Sequence, residues 1–444
     1  MSPKAIRAER GNEGEPVATN QAPASRAVPV APILIAMAVG ALVGWLCGPD
    51  ARVGGFEVIR LFDFLGTLFI NLLKMLIVPL VMASIITGVA SLGSGRDLGR
   101  LGLKTLSFYV ITTLIAVLIA LSISNLVKPG LVDGQPAREM LALEADTRAV
   151  TANVTEHASA SAFDTLLGIV PSNIVEATTS GKLLGVVFFC VLFGFFLARI
   201  ESPHRQALLD LWQGIFRVMM RMTEFVMRLA PIGVFALTAR VVAKAGFDAA
   251  GPLLVFAACV VAGLAVYAFV ALPLLIRFVG RVRPWPLFPA MSPALLTAFS
   301  TASSAATLPL SLECVEKRAR VSERITSFVL PLGTSINHAG SALYECAAAM
   351  FIAQAYGLHL SFGVQFTVVI LALITSMGIA SIPAASLVGI AIILTAVGLP
   401  AEAIGVLFVL DRLLDMARTA VNVFADATCA VIVARLEGEK DVLT

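Results

Sequence analysis

Charge is scarce in this chain. Asp, Glu, Lys and Arg make up 14% of its 444 residues, against 58% hydrophobic, and the mean hydropathy is +0.91. An ordinary soluble domain, with about a quarter of its residues charged, is excluded. The 32 basic and 29 acidic residues nearly cancel to +3, which leaves no basic footprint for nucleic acid. Strict alternation of apolar and polar residues is missing as well, and the long unbroken apolar runs exclude a β-barrel. The six cysteines, Cys47, Cys190, Cys259, Cys314, Cys346 and Cys429, stand singly in apolar segments without CxxC or CxxxH spacing, so neither a disulfide framework nor a zinc site is indicated. No nucleophile–base pair points to an enzyme, and no cofactor is implied. Residues 1–27 lack the apolar core of a secretion signal and read as a disordered cytoplasmic tail. What remains is an all-α polytopic membrane protein.

The apolar runs give its organisation. Segments 28–47, 62–92 and 101–126 predict three helices, the second kinked at Pro79. Arg96, Arg100 and Lys104 lie between the second and third, which places that loop and the amino terminus on the cytoplasmic side. Residues 128–162, with Pro129, Gly130, Gly134 and Pro136, read as an external loop. Hydrophobicity returns in pieces over 163–200, a broken fourth helix. A long fifth follows over 208–243, with Arg217, Arg221 and Arg228 on one face. A sixth over 252–278 ends at Arg277, Arg281 and Arg283, another cytoplasmic boundary. The short 437–444 segment forms a second cytoplasmic tail.

The final third changes character. Segment 287–312 carries small hydroxyl residues and Pro309 at its centre, which suits a re-entrant hairpin with a non-helical tip over 299–309. Segment 362–397 repeats the design, with its tip over 376–386. Each hairpin precedes a long helix, 325–352 and 404–436, and such an internal repeat marks a secondary transporter with a site at the membrane midplane. Two ordinary helical pairs with serine-rich kinks are the alternative. Within the seventh helix, residues 333–341 concentrate glycine, hydroxyls and an amide, which predicts an unwound stretch able to offer oxygen ligands to a hard cation.

The eighth helix holds the densest intramembrane charge. At 100° per residue, Asp411, Asp415, Arg418, Asn422 and Asp426 fall within roughly 80° of arc, a polar stripe on an oily helix. Each ionised group near a bilayer centre costs about 2.5–3.5 kcal/mol even on the lenient insertion scale, so the stripe needs partners, water or a ligand. A line of satisfied inter-helix salt bridges is the competing reading.

These residues resemble the dicarboxylate/amino acid:cation symporter family, which includes archaeal aspartate transporters and excitatory amino-acid transporters. The resemblance is carried by Ser303-Ser304-Ala305-Ala306-Thr307-Leu308-Pro309, Phe328-Val329-Leu330-Pro331-Leu332-Gly333, Ile382-Pro383, Val397-Gly398-Leu399-Pro400 and the run from Asp411 to Asp426. It implies eight transmembrane helices plus two re-entrant hairpins, assembled as a homotrimer working as an elevator in the plasma membrane, the bacterial inner membrane. Scaffold helices would occupy 28–100 and 163–245. The transport domain would comprise 101–127 and 250–436, with hairpins at about 286–315 and 362–398. By the same resemblance Arg418 pairs with a substrate side-chain carboxylate and Asp415 with its ammonium. Thr419, Asn422, Ser303, Ser304, Ser341, Ile382 and Ser386 stand as further substrate contacts. Gly333, Asn337, Asn422 and Asp426 match one sodium site, Ser335 and Ser376 a second, and Tyr109, Thr112 and Thr113 part of a third.

Departures from the family pattern bear on the coupling ion. Ala339 cannot supply the carboxylate expected beside Tyr109, Thr112 and Thr113, which argues that the third sodium site is lost. His338 stands in place of a methionine, Ala302 and Met416 in place of a second arginine, and Ser381, Ala384 and Ser386 in place of glycines of archaeal second hairpins. Glu345 matches the proton-carrying position of the mammalian branch, so Glu345 and His338 are the candidates for proton coupling. The expected function is symport of glutamate or aspartate with protons, sodium or both. Succinate-like dicarboxylates or small neutral amino acids are the alternatives within that mechanism, and an ion channel or receptor is the alternative from another class.

Overall fold

The computed structural model describes residues 30–49, 51–53, 56–90, 96–141, 143, 148, 150–152, 154, 170–179, 183–246, 250–378 and 385–443. The 1–27 tail, much of the second half of the expected 128–162 loop and residues 379–384 of the second hairpin lie outside that range. Helix dominates throughout, as a chain in hydrocarbon must satisfy its backbone internally. The described β-structure is two two-residue ribbons, Arg52–Val53 with Phe56–Glu57 and Leu131–Val132 with Gln135–Pro136.

The first half of the chain forms α1 (Val30–Cys47), α2 (Val58–Ala90), α3 (Arg96–Val127), α4 (Ile174–Thr179), α5 (Leu183–Leu197), α6 (His204–Arg228) and α7 (Ala230–Ala245). The predicted fifth helix is two helices. The chain bends by 52° between His204–Val226 and Ala230–Lys244, with Pro231 in the first turn of α7, where its missing N–H costs nothing. In the second half, α8 (Ala250–Gly280) contains π-helical turns at Tyr267–Ala271 and Ile276–Gly280. It is followed by α9 (Leu287–Thr301), α10 (Ser304–Glu313), α11 (Glu323–Ile336), α12 (Ala339–Ala355), α13 (Phe362–Gly378), α14 (Ala385–Ala396) and α15 (Ile404–Leu436). Leu101–Val127, Ala250–Gly280 and Ala401–Leu436 are each long and apolar enough to cross a membrane unaided.

Packing separates the helices into two bodies. In the first, α7 lies against α1, while α2 contacts α5, α6 and α7. Gly40 and Gly44 make the α1–α7 crossing close: a Cβ on them would come within 2.6 Å of the Phe235 carbonyl oxygen and 2.3 Å of that of Ala239. In the second body α12 is the central post, touching α3, α8, α13, α14 and α15. All its residues except Ser341 are buried, and its many alanines let five neighbours approach together. Hydrogen bonds fasten α3 to this body at one end, where Gly130 N–H donates to Gln354 Oε1 (3.2 Å) and Gln354 Nε2 to the Ser124 carbonyl (2.9 Å). A 2.5 Å ion pair between Lys104 and Glu437 fastens the other end.

The non-helical stretches are shorter than the hydroxyl content predicts. The first hairpin turns at two residues only: Ala302 is left-handed (φ 48°) and Ser303 caps α10 by accepting the Ala306 N–H at 3.2 Å. Thr301 and Thr307 donate back to the carbonyls of Thr297 and Ser303, four residues earlier. The predicted 333–341 unwinding likewise contracts to Asn337 and His338, because Thr334 and Ser335 donate to the carbonyls of Leu330 and Pro331. Hydroxyls in an apolar setting satisfy themselves on the preceding helical turn instead of unwinding it.

Candidate functional site

The polar stripe of α15 faces into the second body. Arg418 is wholly buried, and its Nη2 donates to Asp411 Oδ1 and Asp415 Oδ1, each at 3.1 Å. Both partners lie on its own helix, one turn and two turns earlier, so the cluster needs no neighbouring helix for its ion pairs. The guanidinium also lies over the Tyr344 ring, 3.9 Å from its centroid. Its Nε and Nη1 have no hydrogen-bond partner among the described residues. Buried donors left unshared cost about 1–3 kcal/mol each, and a guanidinium with two of them open attracts an anionic oxygen. Asp415 is partly exposed and also lies 3.5 Å from Arg412 Nη1. Thr419 Oγ1 donates to the Asp415 carbonyl at 2.8 Å.

One turn further along α15, the stripe meets the helix break at Asn337 and His338. The first N–H groups of α12 lack helical partners, and His338 offers no side-chain cap. Asn422 supplies one from α15, its Oδ1 accepting the Gly340 N–H at 2.8 Å. Asn337 Nδ2 donates to Asp426 Oδ1 at 2.8 Å. Asp426 is buried and is in no salt bridge among the described residues, while Asn337 Oδ1 is buried without a partner. A carboxylate in that state needs a cation or a proton. Gly333 stands here because the space is taken: a Cβ on it would lie 2.3 Å from Asp426 Oδ1 and 2.5 Å from the Tyr109 hydroxyl. The structure thus brings Gly333, Asn337, Asn422 and Asp426 together with Tyr109, whose hydroxyl donates to the Val329 carbonyl at 2.9 Å.

Thr112 and Thr113 are buried beside Tyr109 on α3. Thr112 Oγ1 donates to the backbone of Phe108 and Tyr109, whereas Thr113 Oγ1 has no hydrogen-bond partner among the described residues. Ala339 is fully buried and has no side-chain oxygen. Ser335 is exposed and Ser376 buried, and each donates to its own helix, to the carbonyls of Pro331 and Leu373. Ser304 and Ser386 are buried, Ser303 and Ser341 half-buried, and Ile382 lies outside the described residues.

Glu345 and His338 both face the first arm of the second hairpin. Thr375 donates its hydroxyl to Glu345 Oε2 at 2.6 Å, and the His338 ring reaches the backbone of the next residue, Ser376. Sequence reasoning left Asp411, Arg412, Tyr344, Thr375 and Gly389 without roles at the site. Asp411 carried a signal, since it lies seven residues before Arg418 on the same stripe. Tyr344, Thr375 and Gly389 carried none: they are ordinary residues that meet the site only through tertiary packing.

Comparison with known proteins gives the family. The family model described as the sodium:dicarboxylate symporter family matches residues 30–436. The proton/glutamate-aspartate symporter of Escherichia coli strain K12 is 36% identical over 410 residues, covering 92% of this chain and 93% of that protein. The proton/sodium-glutamate symport protein of Geobacillus stearothermophilus is 35% identical over 407 residues, covering 92% and 94%. Excitatory amino acid transporter 3 of Bos taurus is 32% identical over 454 residues, covering 91% and 84%. With nearly its whole length matched, this mostly helical chain with candidate membrane spans belongs to the sodium:dicarboxylate symporter family.

Proposed function

We propose that the protein is a secondary active transporter, a symporter of glutamate or aspartate coupled to protons, sodium or both. The observation that carries this reading is the Arg418 guanidinium: buried, held by Asp411 and Asp415 through one nitrogen, with Nε and Nη1 unshared. A side-chain carboxylate can accept from these open donors, and the ammonium of the same amino acid fits Asp415. A succinate-like dicarboxylate has no ammonium for Asp415, and a neutral amino acid leaves the donors unfilled. The relatives named as glutamate and aspartate symporters support the same substrate class. Ser303, Ser304, Ser341, Ile382, Ser386, Thr419 and Asn422 complete the substrate site in this reading. Gly333, Asn337, Asn422 and Asp426 take a sodium ion or its equivalent, Ser335 and Ser376 form a weaker second sodium site, and Glu345 and His338 serve proton coupling.

The mechanism we propose is an elevator. The α1, α2 and α4–α7 body acts as scaffold, and the α3 and α8–α15 body, with two re-entrant hairpins, moves the site across the bacterial inner membrane. Division of the packing into two bodies supports it. The basic clusters at Arg96, Arg100 and Lys104 and at Arg277, Arg281 and Arg283 support cytoplasmic termini. Leu211, Val218, Phe225 and Ile232, exposed at seven-residue spacing along α6 and α7, give the scaffold an apolar row for lipid or for further copies in a homotrimer.

The deciding experiment is uptake of labelled glutamate and aspartate into proteoliposomes under sodium, proton or potassium gradients imposed one at a time. Accumulation against a gradient of either amino acid is the expected result. Failure to accumulate either under every gradient, with the protein correctly inserted, refutes the proposal.

A further inference from the structure

We infer that Gly389 is a positioning residue of the transport site: its bare backbone gives the Glu345 carboxylate its place between the two arms of the second hairpin, and so sets how deeply Ser386 sits. The inference rests on the transport reading above and concerns a residue to which that reading gives no part. A Cβ added to Gly389 would lie 2.4 Å from Glu345 Cδ and 2.5 and 2.6 Å from its two carboxylate oxygens, closer than real atoms approach. The carboxylate therefore lies directly on the backbone of α14. From the other side Thr375 of α13 donates to Oε2 at 2.6 Å. Glu345 is 1% exposed, so a single carboxylate projecting from α12 touches both arms in a closed space.

The contact is enclosed: Ile392 and Ile393 on α14, Ala372 on α13 and Ala342 and Cys346 on α12 are all buried. A methyl group added here must displace either the Glu345 carboxylate, which Thr375 holds from the other side, or the α14 backbone, and on this inference it is α14 that moves. Ser386, a proposed substrate contact, is three residues before Gly389 and on the same face of α14. Lifting α14 from Glu345 lifts Ser386 with it. A side chain at 389 would thus act on substrate affinity from a position that touches no substrate.

The test uses purified full-length protein carrying Gly389→Ala, Glu345→Asp, or both, with Gly363→Ala as control. At Gly363, on the first arm, an added Cβ meets nothing nearer than Ser361 Oγ at 3.9 Å. Thermal stabilisation by glutamate and the KM of uptake in proteoliposomes are measured for each. Gly389→Ala should raise both the half-maximal glutamate concentration and the KM about tenfold, an affinity loss of about 1.4 kcal/mol, while Gly363→Ala leaves them unchanged. Glu345→Asp withdraws the carboxylate by one methylene, so adding Gly389→Ala in that background should cost less than about threefold.

A wild-type response in Gly389→Ala overturns the inference, and so does an equal penalty in both backgrounds. If Gly389→Ala yields no folded protein, recovery of folding by Glu345→Asp supports the contact. Failure of both marks 389 as general packing and overturns the inference. Absence of any glutamate response in the unaltered protein sinks the transport reading itself, and this inference with it.

Discussion

At the scale of single residues, the chemistry concentrates where charge has been taken out of water and only partly repaid. Arg418 shares one nitrogen with two carboxylates and keeps Nε and Nη1 without hydrogen-bond partners among the described residues. Lysine at this position keeps the charge but has no planar fork, so Arg418→Lys should raise the KM for glutamate at least about a hundredfold, or about 2.7 kcal/mol. Uptake kinetics in proteoliposomes measure this, and a KM within a few-fold of the unaltered protein removes Arg418 from substrate recognition. Glu345 has a neutral hydroxyl as its hydrogen-bond partner and stands in no salt bridge among the described residues. If its proton is transported, Glu345→Gln should flatten the pH dependence of net uptake while leaving glutamate exchange intact. A mutant with the original pH profile assigns proton coupling elsewhere. Ala339, at the position where the family resemblance expects a carboxylate for the third sodium site, carries only a methyl group. Sodium dependence of uptake should therefore be shallow or absent, and a steep third-order dependence would show that other oxygens complete the third site.

At the scale of elements, small residues decide which helices come close and polar ones decide where helices stop. The α1–α7 crossing depends on Gly40 and Gly44, which face the backbone at Phe235 and Ala239. Gly44→Val drives a branched side chain into that backbone and should destabilise the protein by about 1–3 kcal/mol, read as a lower melting temperature in detergent. Because Gly40 and Gly44 lie in the other body and Arg418 takes its ion pairs from its own helix, the KM for glutamate in protein that still folds should stay within about twofold. A changed KM with unchanged melting would mean that α1 communicates with the site.

What the sequence disclosed about these elements follows from the range of the interactions involved. The α15 stripe was legible because its five polar residues share one helix and helical geometry fixes their bearing. The two helix pairs were legible from apolar length and small-residue interruptions. The extent of the breaks was not, since Thr301, Thr307, Thr334 and Ser335 each choose between unwinding their helix and bonding to its previous turn. Composition cannot distinguish those outcomes. The seat of Glu345 was invisible for a related reason: Thr375 and Gly389 reach it from 30 and 44 positions away, through a packing that periodicity does not encode.

At the scale of the whole molecule, an elevator requires the two packed bodies to move past each other. They meet where α15 begins against α2 and α7, around a cavity of about 500 Å³ lined by Asp63, Thr67 and Arg240 on one side and Pro400, Glu402 and Val406 on the other. Arg240 and Asp63 pair at 2.6 Å within the first body, so that pair itself need not break when the second body shifts. Beside the cavity, a Cβ on Gly405 of α15 would lie 3.7 Å from Ile70 Cδ1 of α2, ordinary van der Waals contact. Cysteines at these two positions are near enough for a mercuric ion to bridge. In a background with the six native cysteines replaced, Ile70→Cys with Gly405→Cys should lose nearly all net uptake on adding mercuric ion, and each single variant should not. Binding, read as thermal stabilisation by glutamate, should survive in the bridged protein, because Arg418, Asp411 and Asp415 all lie in one body and keep their geometry. Bridged protein that still accumulates glutamate would mean that the substrate crosses without displacement of one body along the other, and the elevator would have to be abandoned for a local gate.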